Sequence, residues 1–302
     1  MIGTLDIGIK FLKQLTHAAI IKITNNCHVG CRHCYEPTEE YVADDGCNMD
    51  WVRKMLQDPW CESVCLQGGE PMEFPEKCKE VCDIAREAGL NPMLVTSAFW
   101  AGDDKMVDYV LNEIKPFFLT ISVNKWLAEK VPIVEYVNKL CKLVEHRDDM
   151  IIFGSSAFSH PYTYHLQQPP NIDDVQPEFK GLIKYPMFRT PVPLSPSGRG
   201  QVLASECEDT RVTSDEPFIC SFGGVFLNPD GTLYSNCQNG WQGCRFGHIN
   251  DYGEHPISEI NEKIHRPVFK TNKKILGAHE LCRRPPHNVD LFNAEKGKIY
   301  EV

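Results

Sequence analysis

Three cysteines, Cys27, Cys31 and Cys34, stand in a CxxxCxxC spacing within Cys27-His28-Val29-Gly30-Cys31-Arg32-His33-Cys34. Thiolates so spaced suit iron–sulfur chemistry, because three of them can hold three irons of a [4Fe-4S] cluster and leave the fourth iron open to a non-protein ligand. A structural zinc site is the competing reading. It needs four closed ligands, usually from paired C-x2-C elements, and would have to recruit His28, His33 or a distant cysteine. A second segment, Gly68-Gly69-Glu70-Pro71, joins two glycines that let backbone approach a ligand closely to a carboxylate that can accept from an ammonium group.

These residues need a frame that brings them together, and the chain has the length for one. Its 302 residues amount to about two domains, or to one large α/β barrel with an appendage. Hydrophobic residues at 42% and charged residues at 24% describe a compact globular protein rather than a disordered or fibrous one. With 31 Lys and Arg against 41 Asp and Glu, the net charge of −10 repels a phosphate backbone, which argues against nucleic acid as a partner. No apolar run reaches the roughly 18 residues of a membrane span, and Met1 to Thr16 contains no long apolar signal region. The 14 cysteines are too few for a small disulfide scaffold and too many for an ordinary cytosolic enzyme. In a cytoplasmic, reducing setting, metal or cluster ligation is the better default for them.

From residue 18 onward, short apolar runs alternate with amphipathic stretches, as in successive βα units. Strands are expected at Ala18 to Thr24, Ser63 to Gln67, Pro92 to Ser97, Phe117 to Val123 and Met150 to Ala157. Helices are expected near Met49 to Asp58, Pro75 to Ala88, Asp103 to Glu113 and Pro132 to Glu145. The order predicts a curled parallel sheet. It places the cysteines directly after the first strand and the glycine pair after the second. Regularity fails between Ser159 and Pro196, a stretch that reads as a cover for a substrate cavity. Phe226 to Gln238 reads as a hairpin turning at Asn228-Pro229-Asp230-Gly231, part of a smaller second module.

The CxxxCxxC motif after the first strand, with Gly-Gly-Glu-Pro after the second, resembles the radical S-adenosylmethionine superfamily over Ala18 to about Ala157. The resemblance implies an α/β fold: a partial (β/α)6 TIM-like barrel with a small C-terminal hairpin-plus-helix auxiliary module. It divides the chain into a barrel over 1–200 and a module over 201–302. It also implies a catalytic [4Fe-4S] cluster on Cys27, Cys31 and Cys34 that chelates S-adenosylmethionine. Reductive cleavage of that cofactor gives a 5′-deoxyadenosyl radical, which abstracts a hydrogen atom from substrate. By the same resemblance Gly68, Gly69, Glu70 and Pro71 bind the methionyl amino group, and His33 and Tyr35 lie near the adenine. Ser122, Asn124 and Ser155 are strand-end candidates for ribose or carboxylate contacts; bonding to nearby backbone explains them as well. Many relatives have Asp where Asn124 stands. Arg199, in Ser195-Pro196-Ser197-Gly198-Arg199-Gly200, is a candidate for a carboxylate, with a plain surface role in a Gly/Pro turn as the alternative.

The second half resembles the auxiliary-cluster module called SPASM or, when shortened, Twitch. Five cysteines follow residue 200, which limits the module to a single auxiliary Fe–S cluster. Cys220, Cys237 and Cys282 are its expected ligands, with Cys244 as fourth and Cys207 in reserve. Only one cysteine stands in Leu281-Cys282-Arg283-Arg284, where Twitch modules commonly finish with a close pair. A cysteine left over, Cys207 or Cys244, could return a hydrogen atom to a substrate radical. Cys47, Cys61, Cys65, Cys78, Cys82 and Cys141 are expected to pack as small hydrophobes.

The function implied is modification of a ribosomally made peptide by oxidation, crosslinking or epimerisation. The alternatives are a dehydrogenase or epimerase of a small metabolite, and, from another class, a non-catalytic iron–sulfur or zinc redox or scaffold protein. The expected partners are a peptide or small-molecule substrate and an electron donor such as a flavodoxin or ferredoxin. About 17 residues precede the first strand, too few for the leader-binding domain that many peptide maturases carry.

Overall fold

The computed structural model describes residues 18–34, 45–158, 176–185, 187–193, 199, 218–219, 224–235, 245–264, 268–270 and 299–301. Its first half repeats strand and helix: β1 (Ala18–Lys22), α1 (Met49–Leu56), β2 (Ser63–Gln67), α2 (Pro75–Glu87), β3 (Pro92–Thr96), α3 (Asp104–Tyr109), β4 (Phe118–Ser122), α4 (Lys125–Ala128), α5 (Ile133–Val144), β5 (Ile151–Phe158) and β6 (Phe188–Pro193). The helices start where the chain supplies a cap. The side chains of Asn48, Asp103 and Asn124 accept from backbone N–H groups in the first turns of α1, α3 and α4. Pro75 opens α2, a position where its missing N–H costs nothing.

Strands β1 to β6 pair in chain order, all parallel. Their outward residues, among them Ile21, Leu66, Leu94 and Leu119, pack with Val52, Val81 and Val137 of the helices in one large core. Their inward residues form a separate cluster of Ala18, Ile20, Cys65, Met93, Phe118 and Phe153, with no helix side chain in it. Register turns this inner face into rings. Ile20, Cys65, Met93, Phe118 and Ile151 make an apolar floor. Two residues nearer the strand C-termini, Lys22 pairs with Gln67, and Val95 with Thr120 and then Phe153. The interior therefore changes from apolar to polar toward the C-terminal ends of the strands.

Three more strands continue the same sheet. β8 (Gly224–Leu227), β9 (Thr232–Ser235) and β10 (Arg245–His248) give the order β10-β9-β8-β1-β2-β3-β4-β5-β6, with β8 parallel to β1, β9 antiparallel to β8 and β10 antiparallel to β9. The expected hairpin is thus present, and it covers the free side of β1. The order is linear with β10 and β6 at its ends, so the barrel is partial. β7 (Phe218–Ile219), β11 (Val268–Lys270) and β12 (Ile299–Glu301) form a small separate sheet.

Helix α6 (Pro256–Lys263) follows the hairpin and docks on the first βα unit. Buried Asp58, just beyond α1, accepts from the N–H groups of Ile257 (2.8 Å) and Ser258 (3.0 Å) and from the Ser258 hydroxyl (2.6 Å). Lys54 of α1 donates to the carbonyls of Ile249 (3.1 Å) and Tyr252 (2.8 Å). No helix among the described residues is long and apolar enough to cross a membrane.

Candidate active site

The described site residues other than Arg199 and Ser155 lie at or just beyond the C-terminal ends of β1, β2 and β4, the face where parallel barrels build their sites. After β1 the chain turns at Thr24, whose hydroxyl accepts from the Asn26 N–H at 3.0 Å. It then enters the cysteine loop. Cys27, Cys31 and Cys34 are free thiols, each partly exposed. Burial pushes the Cys27 thiol up to about 11, with the Glu70 charge adding to it. Burial pushes Cys31 up to about 12, and the neighbouring Cys27 and Cys34 charges raise it further. Binding of a metal would remove the protons that burial holds on Cys27 and Cys31. Among the described residues no three His, Cys, Asp or Glu side chains converge on a point of single-ion size.

Gly68 and Gly69 do more than clear space for a ligand. The Gly69 N–H donates to the Thr24 carbonyl (2.8 Å) and the Glu70 N–H to that of Asn26 (2.7 Å), so this segment is stitched to the start of the cysteine loop. A Cβ on Gly68 would lie 2.3 Å from the Thr24 carbonyl oxygen, and one on Gly69 would lie 1.9 Å from that of Asn26. Only glycine allows this contact of backbone with backbone.

Glu70 is 1% exposed. Its Oε1 accepts from Thr96 Oγ1 (2.7 Å) and the Met72 N–H (3.2 Å), and its Oε2 from the Ser97 N–H (2.8 Å) and Ser97 Oγ (2.6 Å). Burial raises its carboxyl above the usual range while these four donors pull it down. An arriving ammonium would have to displace one of them. In this geometry the carboxylate ties the end of β2 to the end of β3. Thr96 and Ser97 carried no sequence signal for that role. Pro71 is buried and opens a single 3-10 turn, Pro71–Glu73, and its carbonyl accepts from Cys78 Sγ at 3.2 Å. Glu73, at the end of that turn, bonds to His28 in the cysteine loop through both the backbone N–H and ring Nδ1.

His33 stacks on Trp126 with ring centroids 5.2 Å apart and planes 20° apart. Asn124 Oδ1 accepts from the Leu127 N–H (2.9 Å), which turns its amide NH2 toward His33 Nε2 (3.1 Å). Nε2 therefore accepts, and the neutral ring carries its proton on Nδ1. Burial, then the Arg199 charge, lowers His33 to about 4. His33 Nδ1, Asn26 Nδ2 and Thr120 Oγ1 are buried without a hydrogen-bond partner among the described residues. Polar atoms left so around a barrel mouth fit a ligand with complementary groups. Asn124 thus caps a helix and orients His33 at once. Ser122 ends β4 and is the register partner of Ser155, which lies three residues before the end of β5 rather than at it, and Arg199 Nε donates to the Cys31 carbonyl at 2.9 Å. Tyr35, Cys207, Cys220, Cys237, Cys244 and Cys282 lie outside the described residues. Cys47, Cys61, Cys65, Cys78, Cys82 and Cys141 are all buried free thiols.

No protein-family model and no curated protein matches the sequence. Among solved structures, native anSMEcpe with bound AdoMet and Cp18Cys peptide is similar over 81% of this chain and 80% of its own, at 15% identity and a TM-score of 0.51. The chain shares its overall fold with that structure. Streptococcus suis SuiB bound to precursor peptide SuiA matches 63% of this chain at 14% identity with a TM-score of 0.43, and this chain spans only 43% of it. BtrN in complex with AdoMet and 2-DOIA matches 82% of each chain at 10% identity with a TM-score of 0.45. In this fold, two backbone hydrogen bonds and one buried carboxylate join the mouths of β1, β2 and β3 into a single surface.

Proposed function

We propose that the chain is a radical S-adenosylmethionine enzyme. The observation that supports this best is the backbone seam between the cysteine loop and Gly68-Gly69-Glu70, which sets three partly buried thiols beside buried polar atoms in need of a ligand. Cys27, Cys31 and Cys34 would hold a [4Fe-4S] cluster. Once bound, that cluster supplies the electron that cleaves S-adenosylmethionine to methionine and a 5′-deoxyadenosyl radical. The chain's own residues position and shield. Gly68, Gly69 and Pro71 carry the segment facing the methionyl amino group, and Glu70 holds it rigid. His33, backed by Trp126 and Asn124, offers a fixed Nδ1–H donor. Ser122, Ser155 and Arg199 complete the polar rim.

Below that rim, Lys22, Gln67 and Thr120 would present polar groups to the substrate above an apolar floor. The peptide bound to anSMEcpe supports a peptide as substrate, with oxidation, crosslinking or epimerisation as the outcome. Residues 1–200 serve as the barrel and 201–302 as the auxiliary module. In that module Cys220, Cys237, Cys244 and Cys282 hold one further cluster, and Cys207 or Cys244 serves as hydrogen donor. A flavodoxin or ferredoxin in the cytoplasm is the fitting electron source.

Anaerobic reconstitution with iron and sulfide, followed by dithionite and S-adenosylmethionine, is expected to yield 5′-deoxyadenosine. Replacing Cys27, Cys31 and Cys34 together by Ala should abolish that product and leave about four irons per chain in the auxiliary site. An intact cluster that makes no 5′-deoxyadenosine overturns the enzyme reading. A triple variant without iron overturns the auxiliary cluster.

A further inference from the structure

We propose that Glu73 is a positioning residue for the cysteine loop, acting through His28. The claim that it serves the cluster rests on the proposed function; the claim that it holds the loop does not. Glu73 closes the 3-10 turn that starts at Pro71, three residues after Glu70. The two carboxylates of this one turn run to different places. Glu70 reaches the end of β3, whereas Oε1 of Glu73 accepts from the His28 backbone N–H at 3.1 Å and also bonds His28 Nδ1. A carboxylate only accepts, so Nδ1 carries the hydrogen in this bond. The imidazole also meets Phe99, just past β3, with ring centroids 4.2 Å apart and planes 86° apart.

His28 is thereby held by the turns that follow β2 and β3. It is the residue directly after Cys27, the first thiol of the motif. Backbone N–H and ring are both engaged, which leaves the Cys27–Gly30 turn few ways to move as a unit. The seam at Gly69 and Glu70 fixes the loop up to Asn26, and the grip on His28 extends that control past the first cysteine. Charge-assisted bonds of this kind are among the stronger ones available to a partly exposed loop. Preorganised thiols lose less freedom when metal arrives, so loss of the grip should show as faster metal release before it shows as loss of fold.

Two measurements test this. In the iron-free chain, Glu73→Ala should speed amide hydrogen exchange across 27–31 by about tenfold or more, with β1 to β4 and the melting temperature unchanged. Glu73→Gln keeps an acceptor oxygen and should stay near wild type at the His28 amide. In the reconstituted chain, Glu73→Ala and His28→Ala should each release iron to a chelator several times faster than wild type, and the double variant should fall short of the product of the two single effects. Unchanged exchange in Glu73→Ala overturns the grip. Faster exchange with wild-type iron release in both variants overturns its role toward the cluster, as does additivity in the double variant. A wild-type chain that takes up no iron overturns the proposed function instead, and exchange alone then decides whether Glu73 holds the loop.

Discussion

Gly69→Ala is expected to destabilise the protein by about 3 kcal/mol or more, from overpacking together with two broken hydrogen bonds at about 1 kcal/mol each. The added methyl carbon would lie 1.9 Å from the Asn26 carbonyl oxygen, 2.4 Å from its carbon and 2.8 Å from the Asn25 carbonyl carbon. None of these atoms belongs to a side chain that could rotate aside. The loop must retreat as backbone, and the bonds from Gly69 to Thr24 and from Glu70 to Asn26 go with it. Gly89→Ala is the comparison. Gly89 has φ +74° and nothing within 4 Å of the position its methyl would take, so its cost is conformational alone, about 1 kcal/mol. Urea titration measures the difference in stability. Iron uptake should be lost in Gly69→Ala and kept in Gly89→Ala. Equal midpoints for the two variants would show that the seam is looser than its geometry.

Asp58→Ala should have the next largest effect, about 3 to 4 kcal/mol, since it strips four donors of a buried ionised acceptor. Besides its three bonds to Ile257 and Ser258, Asp58 Oδ1 accepts from the Trp60 N–H at 2.9 Å. His255, at the start of α6, makes no capping bond with its own side chain. A carboxylate from the first βα unit takes over that duty and places negative charge at the positive end of the helix. Ser258→Ala removes one bond and should cost about 1 kcal/mol. In Asp58→Ala, α6 and the hairpin should come away before the barrel, which makes urea unfolding biphasic and opens residues 245–264 to protease. A single transition at the wild-type midpoint would refute that order.

The elements that could be read from the sequence were those with local signals. β1 to β5 and the helices between them fall within a few residues of the expected spans, because each is a short apolar run or amphipathic stretch bounded by Pro, Gly or a capping residue. β6 escaped because Pro191 and Pro193 break the strand pattern. Its place at the end of the sheet is what tolerates a residue lacking an N–H. α4 is only four residues long and has no period to detect. The hairpin was legible from its Asn-Pro-Asp-Gly turn, but its pairing with β1 was not, since nothing local records a partner about 200 residues away.

The site divides in the same way. The cysteine triplet and the glycine pair announce themselves by type and spacing. The residues that hold them do not. Thr96 and Ser97 on Glu70, Glu73 on His28 and Asp58 on α6 are ordinary polar residues that acquire a role only when distant segments meet. The glycine pair also shows the limit of reading by type. Close approach was the right expectation, yet what approaches is the chain's own backbone.

The hairpin's place beside β1 has a consequence for how the protein is made. At ribosomal rates of about 5 to 20 residues per second, the roughly 200 residues between β1 and β8 take on the order of 10 to 40 s to emerge. Throughout that interval one side of the first strand offers open N–H and C=O groups, the kind of template on which nascent chains pair with one another. The oldest strand of the barrel is among the last to be sealed. A stop to translation between Cys34 and Gly224 releases a chain whose cysteine loop is already complete while the edge beneath it is still open. For this protein, yield in a cell should therefore depend on chaperone supply during elongation more than on the stability of the finished fold.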